Sequence, residues 1–253
     1  MYKPLMLATL LATLPLVANA QPKTTPPTLA EAWLAWQEAR LTQGKAPFDW
    51  AYSFALRSRD AVTLEPRQAR LSAEMRAVAS VISTYRDTDT ARALGRWAEV
   101  LNEQPIRHAR SPGPMGLPEL AGDLRRNPSM ADITQLGTCT PPSWVETWTL
   151  EGVGRLTWQP GMSLSRVLNA LPPTAIRGID HVMVITPTGD QQRRGIAAWN
   201  LEPSPLAPGA RVIVQLPERG LGGTREGHLI NRELSAWLAT RLPGDDCTRW
   251  ETP

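Results

Sequence analysis

The stretch GDQQRRGIAAWN (residues 189–200) is followed by APGARVIVQL (207–216) and then HLINRELSAWLATR (228–241). The first segment predicts a strand over 192–198 ending in a Trp-Asn corner. A Pro-Gly turn leads into a second strand over 211–216, and residues 228–242 form an amphipathic helix. Upstream, residues 181–185 (HVMVI) are apolar on both faces, which suits a central strand. Thr186 to Asp190 then makes a hairpin turn. Further back, Ser163 caps a helix running to about Leu171, with Leu164, Val167, Leu168 and Leu171 on its buried side, and Pro172-Pro173 stop it. Trp144, Trp148 and Leu150 alternate along one strand and Leu156 and Trp158 along the next, with a turn at 151–154. The order is β-β-α-β-β-β, a single helix crossing a small mixed sheet.

That arrangement is the β-grasp, and three short motifs agree with it. Pro160-Gly161-Met162-Ser163-Leu164 enters the helix, Pro187-Thr188-Gly189 makes the hairpin, and Pro208-Gly209 precedes the last strand. Together they resemble the soluble-ligand-binding β-grasp (SLBB) domains of polysaccharide-export proteins. The run from Gly195 through Trp199-Asn200, Pro208-Gly209 and the helix up to Leu238-Ala239-Thr240 resembles the C-terminal half of the GfcC-like capsule-biosynthesis proteins. The resemblance implies an α+β chain of tandem β-grasp (SLBB-like) domains. The first would carry an inserted helical hairpin, and a C-terminal amphipathic helix would follow the second. On that basis residues 21–135 form a degenerate N-terminal β-grasp domain with the hairpin at 66–103. Residues 136–217 form the C-terminal β-grasp domain, and 228–242 the final helix.

The N-terminal half carries its own helical signals. Thr28 caps a helix reaching Gln37 or a little beyond, and Glu31 completes a capping box. Phe48, Trp50, Tyr52, Phe54 and Leu56 alternate, which favours a strand. Leu71, Met75, Val78, Ile82 and Tyr85 form a buried helical stripe over 66–86, with Pro66 as the first helical residue. Leu94, Trp97, Val100 and Leu101 form another over 90–103, capped by Asp89 or Thr90. The short polar link between them makes the pair an antiparallel hairpin. Residues 105–128 are punctuated by Pro and Gly and carry only weak signals, a strand at 106–110 and a short helix or irregular strand at 117–124.

The first twenty residues have the form of a signal peptide: Lys3, an apolar run over 5–17, and the small-x-small site Ala18-Asn19-Ala20. A bilayer span needs about 20 apolar residues, more than this run offers. Cleavage after Ala20 would deliver an exported protein, which in a Gram-negative cell means the periplasm. Cys139 and Cys247 are the two cysteines, and an even number in an oxidising compartment suggests one disulfide, two free thiols being the alternative. Neither has a second Cys or His at ligand spacing, so no metal site is expected.

The net charge is +3 with no long basic run, which argues against a nucleic-acid partner. Ten Trp against two Phe and three Tyr admit two uses, core filling and stacking on sugar rings. Catalytic signatures are absent: no H-E-x-x-H, no G-x-S-x-G, and no P-loop lysine in the Gly-rich segment 220–227, which reads as a flexible linker. No catalytic residue and no cofactor are therefore assigned. Asp245-Asp246 admit two readings, a cation-binding or acid/base pair and, favoured for adjacent residues near a terminus, simple solvation.

For ligand binding the candidates are Arg193, Arg194, Trp199 and Asn200. The arginines would meet acidic sugars and Trp199 would stack on a ring. The alternative places the arginines in solvent, Trp199 in the core and Asn200 in the turn. Ile230, Leu234, Trp237 and Leu238 make the apolar stripe of the last helix. It either packs on its own domain or docks on a partner or a membrane surface. The function expected from the resemblance is a non-catalytic periplasmic accessory role in capsule or exopolysaccharide assembly and export. Its partner would be the polysaccharide or an outer-membrane export component. A periplasmic polysaccharide-modifying enzyme of glycosidase type is the alternative, since sequence separation does not fix the distance between carboxylates.

Overall fold

Thr28 caps the first helix of the described residues in the computed structural model, which describes residues 27–85 and 87–251. The expected signal peptide at 1–20 lies outside the described residues. Helix α1 spans Leu29–Thr42, and the Glu31 carboxylate accepts from the Thr28 backbone N–H at 2.8 Å, closing the capping box. The aromatic alternation over 48–56 does not become one strand. The Asp49 carboxylate accepts from the Ala51 N–H and turns the chain at Trp50–Tyr52, so strand β1 begins only at Ser53 and ends at Arg57.

Helices α2 (Ser58–Thr84) and α3 (Thr88–Glu103) form the hairpin. It starts eight residues before Pro66, which lies inside α2 and has no N–H to give the preceding turn. Burial of Leu64, Leu71 and Met75 on the same helix offsets that lost bond. The cap of α3 is Asp87, two residues earlier than the nearer expected cap, accepting from Thr90 N–H at 3.2 Å. A short helix α4 (Leu117–Gly122) resolves the weak signal over 117–124 as helical, and the segment 106–110 forms only an isolated bridge at Ala109. Strand β2 follows at Ile133–Cys139.

The second half contributes β3 (Trp144–Thr149), β4 (Gly152–Thr157), α5 (Leu164–Ala170), β5 (His181–Ile185) and β6 (Gln191–Gly195). It ends with β7 (Arg211–Ile213), α6 (Arg225–Ala239) and β8 (Cys247–Glu251). The structure is α+β with two sheets. The five-stranded sheet has the order β4-β3-β7-β5-β6, with β3 and β7 parallel and the other neighbours antiparallel. This is the mixed sheet crossed by one helix that the residue pattern anticipated. Ser163 caps α5 as expected, its Oγ accepting from Arg166 N–H. The three-stranded sheet is antiparallel, β1-β2-β8, and the helical hairpin interrupts it between the paired strands β1 and β2. Strand β8 was not foreseen: CTRWE carries no apolar run like that of 181–185, and it pairs along the edge of β2.

Strand alternation divides the five-stranded sheet into two faces. Val182, Val184 and Val212 pack with Leu164, Val167 and Leu168 on the α5 side. Trp148, Met183, Ile185 and Ile213 pack on the other side against α2, α3 and α6. Ile230, Leu234, Trp237 and Leu238 are fully buried there, so the apolar stripe of the last helix is consumed inside its own chain. Burying four such side chains contributes on the order of 6–12 kcal/mol, comparable with the whole stability of a typical domain. Docking this stripe on a partner or a membrane would therefore require unfolding the core. No helix of the described residues is long and apolar enough to cross a membrane.

Five aromatic rings gather in the N-terminal unit. Trp33 is buried at their centre, donating to Met115 O at 2.9 Å, with Trp36, Phe48, Trp50 and Trp250 around it. The two units are tied by Tyr52, whose hydroxyl donates to Pro208 O at 2.9 Å, and by Arg110, whose backbone N–H donates to Thr240 O at 2.8 Å. Burial, with Asp49 nearby, pushes the Tyr52 hydroxyl up to about 12. Arg110, Arg211 and Arg241 are all buried near this junction. Desolvation holds Arg110 well below the usual arginine range and lowers Arg241 to about 9, and mutual repulsion among the three adds to it.

Helix α6 is also held to α2 by charge. Arg67 Nη2 lies 2.9 Å from Glu233 Oε2, and Arg232 Nε lies 3.3 Å from Oε1. Burial alone would raise the Glu233 carboxyl, but these partners outweigh it and the net shift is below its ordinary 4.5. A depressed folded-state value means the stabilisation is complete above the ordinary value and is lost as pH falls through the folded one. We therefore expect Glu233→Gln to lower stability at neutral pH, and the gap to wild type to shrink below about pH 4.5. Urea unfolding at several pH values measures this. A gap constant down to about pH 3 would show that the pair contributes nothing through ionisation.

Candidate functional site

Strands β5 and β6 and helix α6 enclose a cleft of about 530 Å³. Its wall follows from two periodicities. On the strands, residues of one parity face α6: His181 and Met183 on β5, and Gln191 and Arg193 on β6. On α6, His228, Asn231, Arg232 and Ser235 have the 3- and 4-residue spacing of a single polar stripe beside the apolar one. The segment after β7 closes the cleft with Glu218 and Arg219.

The Gly-rich segment 220–227, expected as a flexible linker, is a packed corner. Leu221–Gly223 is a 3-10 turn, and Thr224 caps α6 by accepting from Gly227 N–H at 3.1 Å. A Cβ on Gly227 would sit 1.9 Å from Leu221 O, so only glycine permits this approach. Asn231 fixes the helix to the strand side, its Oδ1 accepting from Leu216 N–H at 2.9 Å.

The four candidate ligand residues divide between the faces. Arg193 lines the cleft, with its Nη2 3.1 Å from His181 Nδ1 and 3.7 Å from Glu218 Oε1. Arg194 lies on the opposite face of β6, bonded to Glu202 at 3.1 Å and to Gln192 at 2.6 Å. Alternation along a strand separates neighbours in this way, so the two arginines do not form one site. Asn200 makes the corner: its Oδ1 accepts from Ala197 N–H at 2.9 Å, and its Nδ2 donates to Asp180 O at 3.1 Å. This ends β6 at Gly195, three residues before the expected end, and a Cβ there would meet Asn200 O at 2.1 Å. Trp199 is not core. It is 74 % exposed and stands edge-on to His181, ring centroids 6.1 Å apart.

His181 therefore organises the rim. Its Nε2 is 3.0 Å from Asn200 Nδ2 and its Nδ1 3.1 Å from Arg193 Nη2. Both neighbours are N–H donors, and a neutral imidazole offers a lone pair on one nitrogen only. Among the described residues no carboxylate hydrogen-bonds this ring in the way that orients a catalytic histidine. The remaining cations are Arg219 and Arg232. Arg232 is partnered by Glu233, while Arg219 has no ion pair among the described residues. Among the described residues no group of three or more His, Cys, Asp or Glu is placed to hold a metal ion.

Asp245 and Asp246 do not form a paired acid site. Asp245 accepts from Arg155 at 2.8 Å and from Trp144 Nε1 at 2.8 Å, and Thr140 donates to Asp246. Burial would raise the Asp245 carboxyl, but the hydrogen bonds from Arg155 and Trp144 outweigh it and hold it below its ordinary range.

His228, Arg219 and Arg232 were missed as cleft residues. The spacing 228, 231, 232, 235 was a legible signal, masked by the stronger apolar stripe next to it. Arg219 carried none, because its position depends on the corner at 220–227.

Residues 152–243 match the family model described as the C-terminal region of the capsule biosynthesis protein GfcC. No curated protein matches the chain significantly. Every residue lining the cleft falls inside the matched segment. Residues 152–243, which contain the cleft in full, are thus similar to the C-terminal region of GfcC.

Proposed function

We propose that this protein is a non-catalytic periplasmic accessory factor in capsule or exopolysaccharide assembly and export, and that the β5–β6/α6 cleft engages the glycan. The observation that carries the reading is the cleft itself. An exposed indole at Trp199 stands beside a wall bearing Arg193, Arg219 and Arg232, all within the segment that resembles a capsule-biosynthesis protein. An indole face offers apolar area to a sugar ring, and guanidinium groups pair with its carboxylates. The bond between Cys139 and Cys247 suits an oxidising compartment outside the cytoplasm. An outer-membrane export component is the other partner this role would require.

The test is binding of the disulfide-intact protein to purified acidic polysaccharide from its own source, with product analysis of the same mixture. Trp199→Ala and Arg193→Ala are each expected to weaken binding about tenfold, equivalent to about 1.4 kcal/mol. Both side chains are mostly exposed, so stability should change by no more than about 0.5 kcal/mol. Arg194→Ala, on the opposite face, should leave binding intact. Cleaved product would replace this reading with a polysaccharide-modifying enzyme. Absence of glycan binding would move the ligand to a protein of the export machinery.

A further inference from the structure

A second cavity, of about 440 Å³, lies where the first turn of α2 meets the segment 125–132. Four arginines line it, Arg57, Arg59, Arg125 and Arg126, against one carboxylate, Asp132. The chain carries only a small excess of basic over acidic residues, so this local concentration is not a consequence of overall charge. The arginines are only partly matched by anions. Arg126 pairs with Asp123 at 3.2 Å, and Arg59 lies 3.9 Å from Asp60. Arg57 and Arg125 have no ion pair among the described residues.

Arg57 is the informative one. Among the described residues its Nη2 reaches only the Arg126 carbonyl at 3.5 Å and Met115 Sδ at 3.8 Å, and its buried Nε has no hydrogen-bond partner. Leaving such a donor unmet costs free energy, and like charges gathered at one cavity repel one another. Desolvation and the neighbouring Arg59 charge lower the Arg57 value accordingly. No side chain caps the first turn of α2 beside these guanidinium groups. An oxyanion would relieve all of these deficits together. Guanidinium forks match carboxylate and phosphate oxygens two at a time, and charge-assisted bonds of this kind are short and strong.

We propose that this cavity is an oxyanion-binding site, taking a phosphate or carboxylate group between Arg57, Arg59, Arg125 and Arg126. It lies outside the segment that contains the glycan cleft, and it does not depend on the function proposed above.

Calorimetric titration of the disulfide-intact chain with sodium phosphate and with sodium glucuronate, at ionic strength held constant with chloride, tests it. The expected result is saturable binding of at least one anion. The double variant Arg59→Gln/Arg125→Gln should weaken that binding tenfold or more. Both side chains are solvent-exposed, so the variant should melt like wild type in chloride alone. Arg57→Gln is the more direct change but risks the fold, and so serves only as confirmation. Tighter binding of phosphate identifies a phosphate source, and tighter binding of glucuronate identifies a sugar acid. Lack of saturable binding of either anion, or affinity that survives the double substitution, overturns the proposal.

Discussion

Replacing Glu146 by leucine is expected to destabilise the protein by about 3–5 kcal/mol, the usual cost of stranding a buried charge. Glu146 and Arg211 are opposite each other on the parallel strands β3 and β7, and both are buried. Arg211 Nε donates to Glu146 Oε1 at 3.2 Å, and the same oxygen accepts from Trp148 Nε1 at 2.8 Å. Arg211 Nη2 donates to Leu242 O at 2.8 Å, while its Nη1 already lacks a partner. Desolvation pulls the Arg211 value down, and Glu146 is the main group opposing it. With a leucine at 146, the guanidinium loses the one carboxylate it pairs with among the described residues, and Trp148 loses its acceptor. Arg211→Met in the same background should recover part of the loss, because two apolar side chains of similar volume leave no buried charge. Urea midpoints at unchanged slope measure both effects. A single-variant loss under about 1 kcal/mol would mean that water reaches this pair and screens it.

Opening the bond between Cys139 and Cys247 is the second large effect. The two residues face each other across β2 and β8 and are 108 positions apart in sequence. In the chain-entropy account, closing a loop of about that length contributes about 4–5 kcal/mol by restricting the unfolded chain. The folded state adds a local reason. Among the described residues strand β8 pairs only with β2, and Trp250 on it packs against Trp36 with ring centroids 5.0 Å apart. The double variant Cys139→Ser/Cys247→Ser is therefore expected to lose several kcal/mol. The β8 amides should exchange fastest, and Trp250 should become more solvent-exposed. Hydrogen exchange and denaturant unfolding, with and without reductant, read these changes. Equal stability of oxidised and reduced protein would show that the pairing of β8 with β2 is sufficient by itself. Loss of β8 would also leave one edge of β2 open, and exposed edges favour aggregation.

The parts of the fold legible in the sequence are those whose cause is local. The capping box at Thr28 and Glu31 and the cap at Ser163 are satisfied within four residues, and both occur as anticipated. The strand over 181–185 is apolar on both faces because it lies inside a sheet covered on both sides, and its bounds agree. The errors have equally physical origins. A proline inside a 27-residue helix reads as a helix start, because its lost bond is visible in sequence whereas the burial that offsets it is not. The glycines at 222 and 227 read as freedom, yet a Cβ at either would lie 2.1 or 1.9 Å from a backbone carbonyl oxygen, so the packed corner requires glycine there.

The candidate site was half legible. Arg193, Trp199 and Asn200 were singled out, and they do gather around His181. Arg194 was grouped with them by adjacency in sequence, which on a strand places it on the opposite face.

The sequence by itself determined the α+β class, the mixed sheet crossed by one helix and the hairpin, and it suggested a disulfide with two free thiols as the alternative. Hydrophobic period, capping chemistry and turn residues act over a few positions, and those signals are present in a single chain. Only the tertiary structure decided that β8 completes the first sheet and that the stripe of α6 faces inward. The same holds for the cleft, built from residues 178 to 235, and for the second cavity, which brings Arg57 together with Arg125. Each depends on contacts between segments distant in sequence, and the free energy of burial that selects them has no local signature.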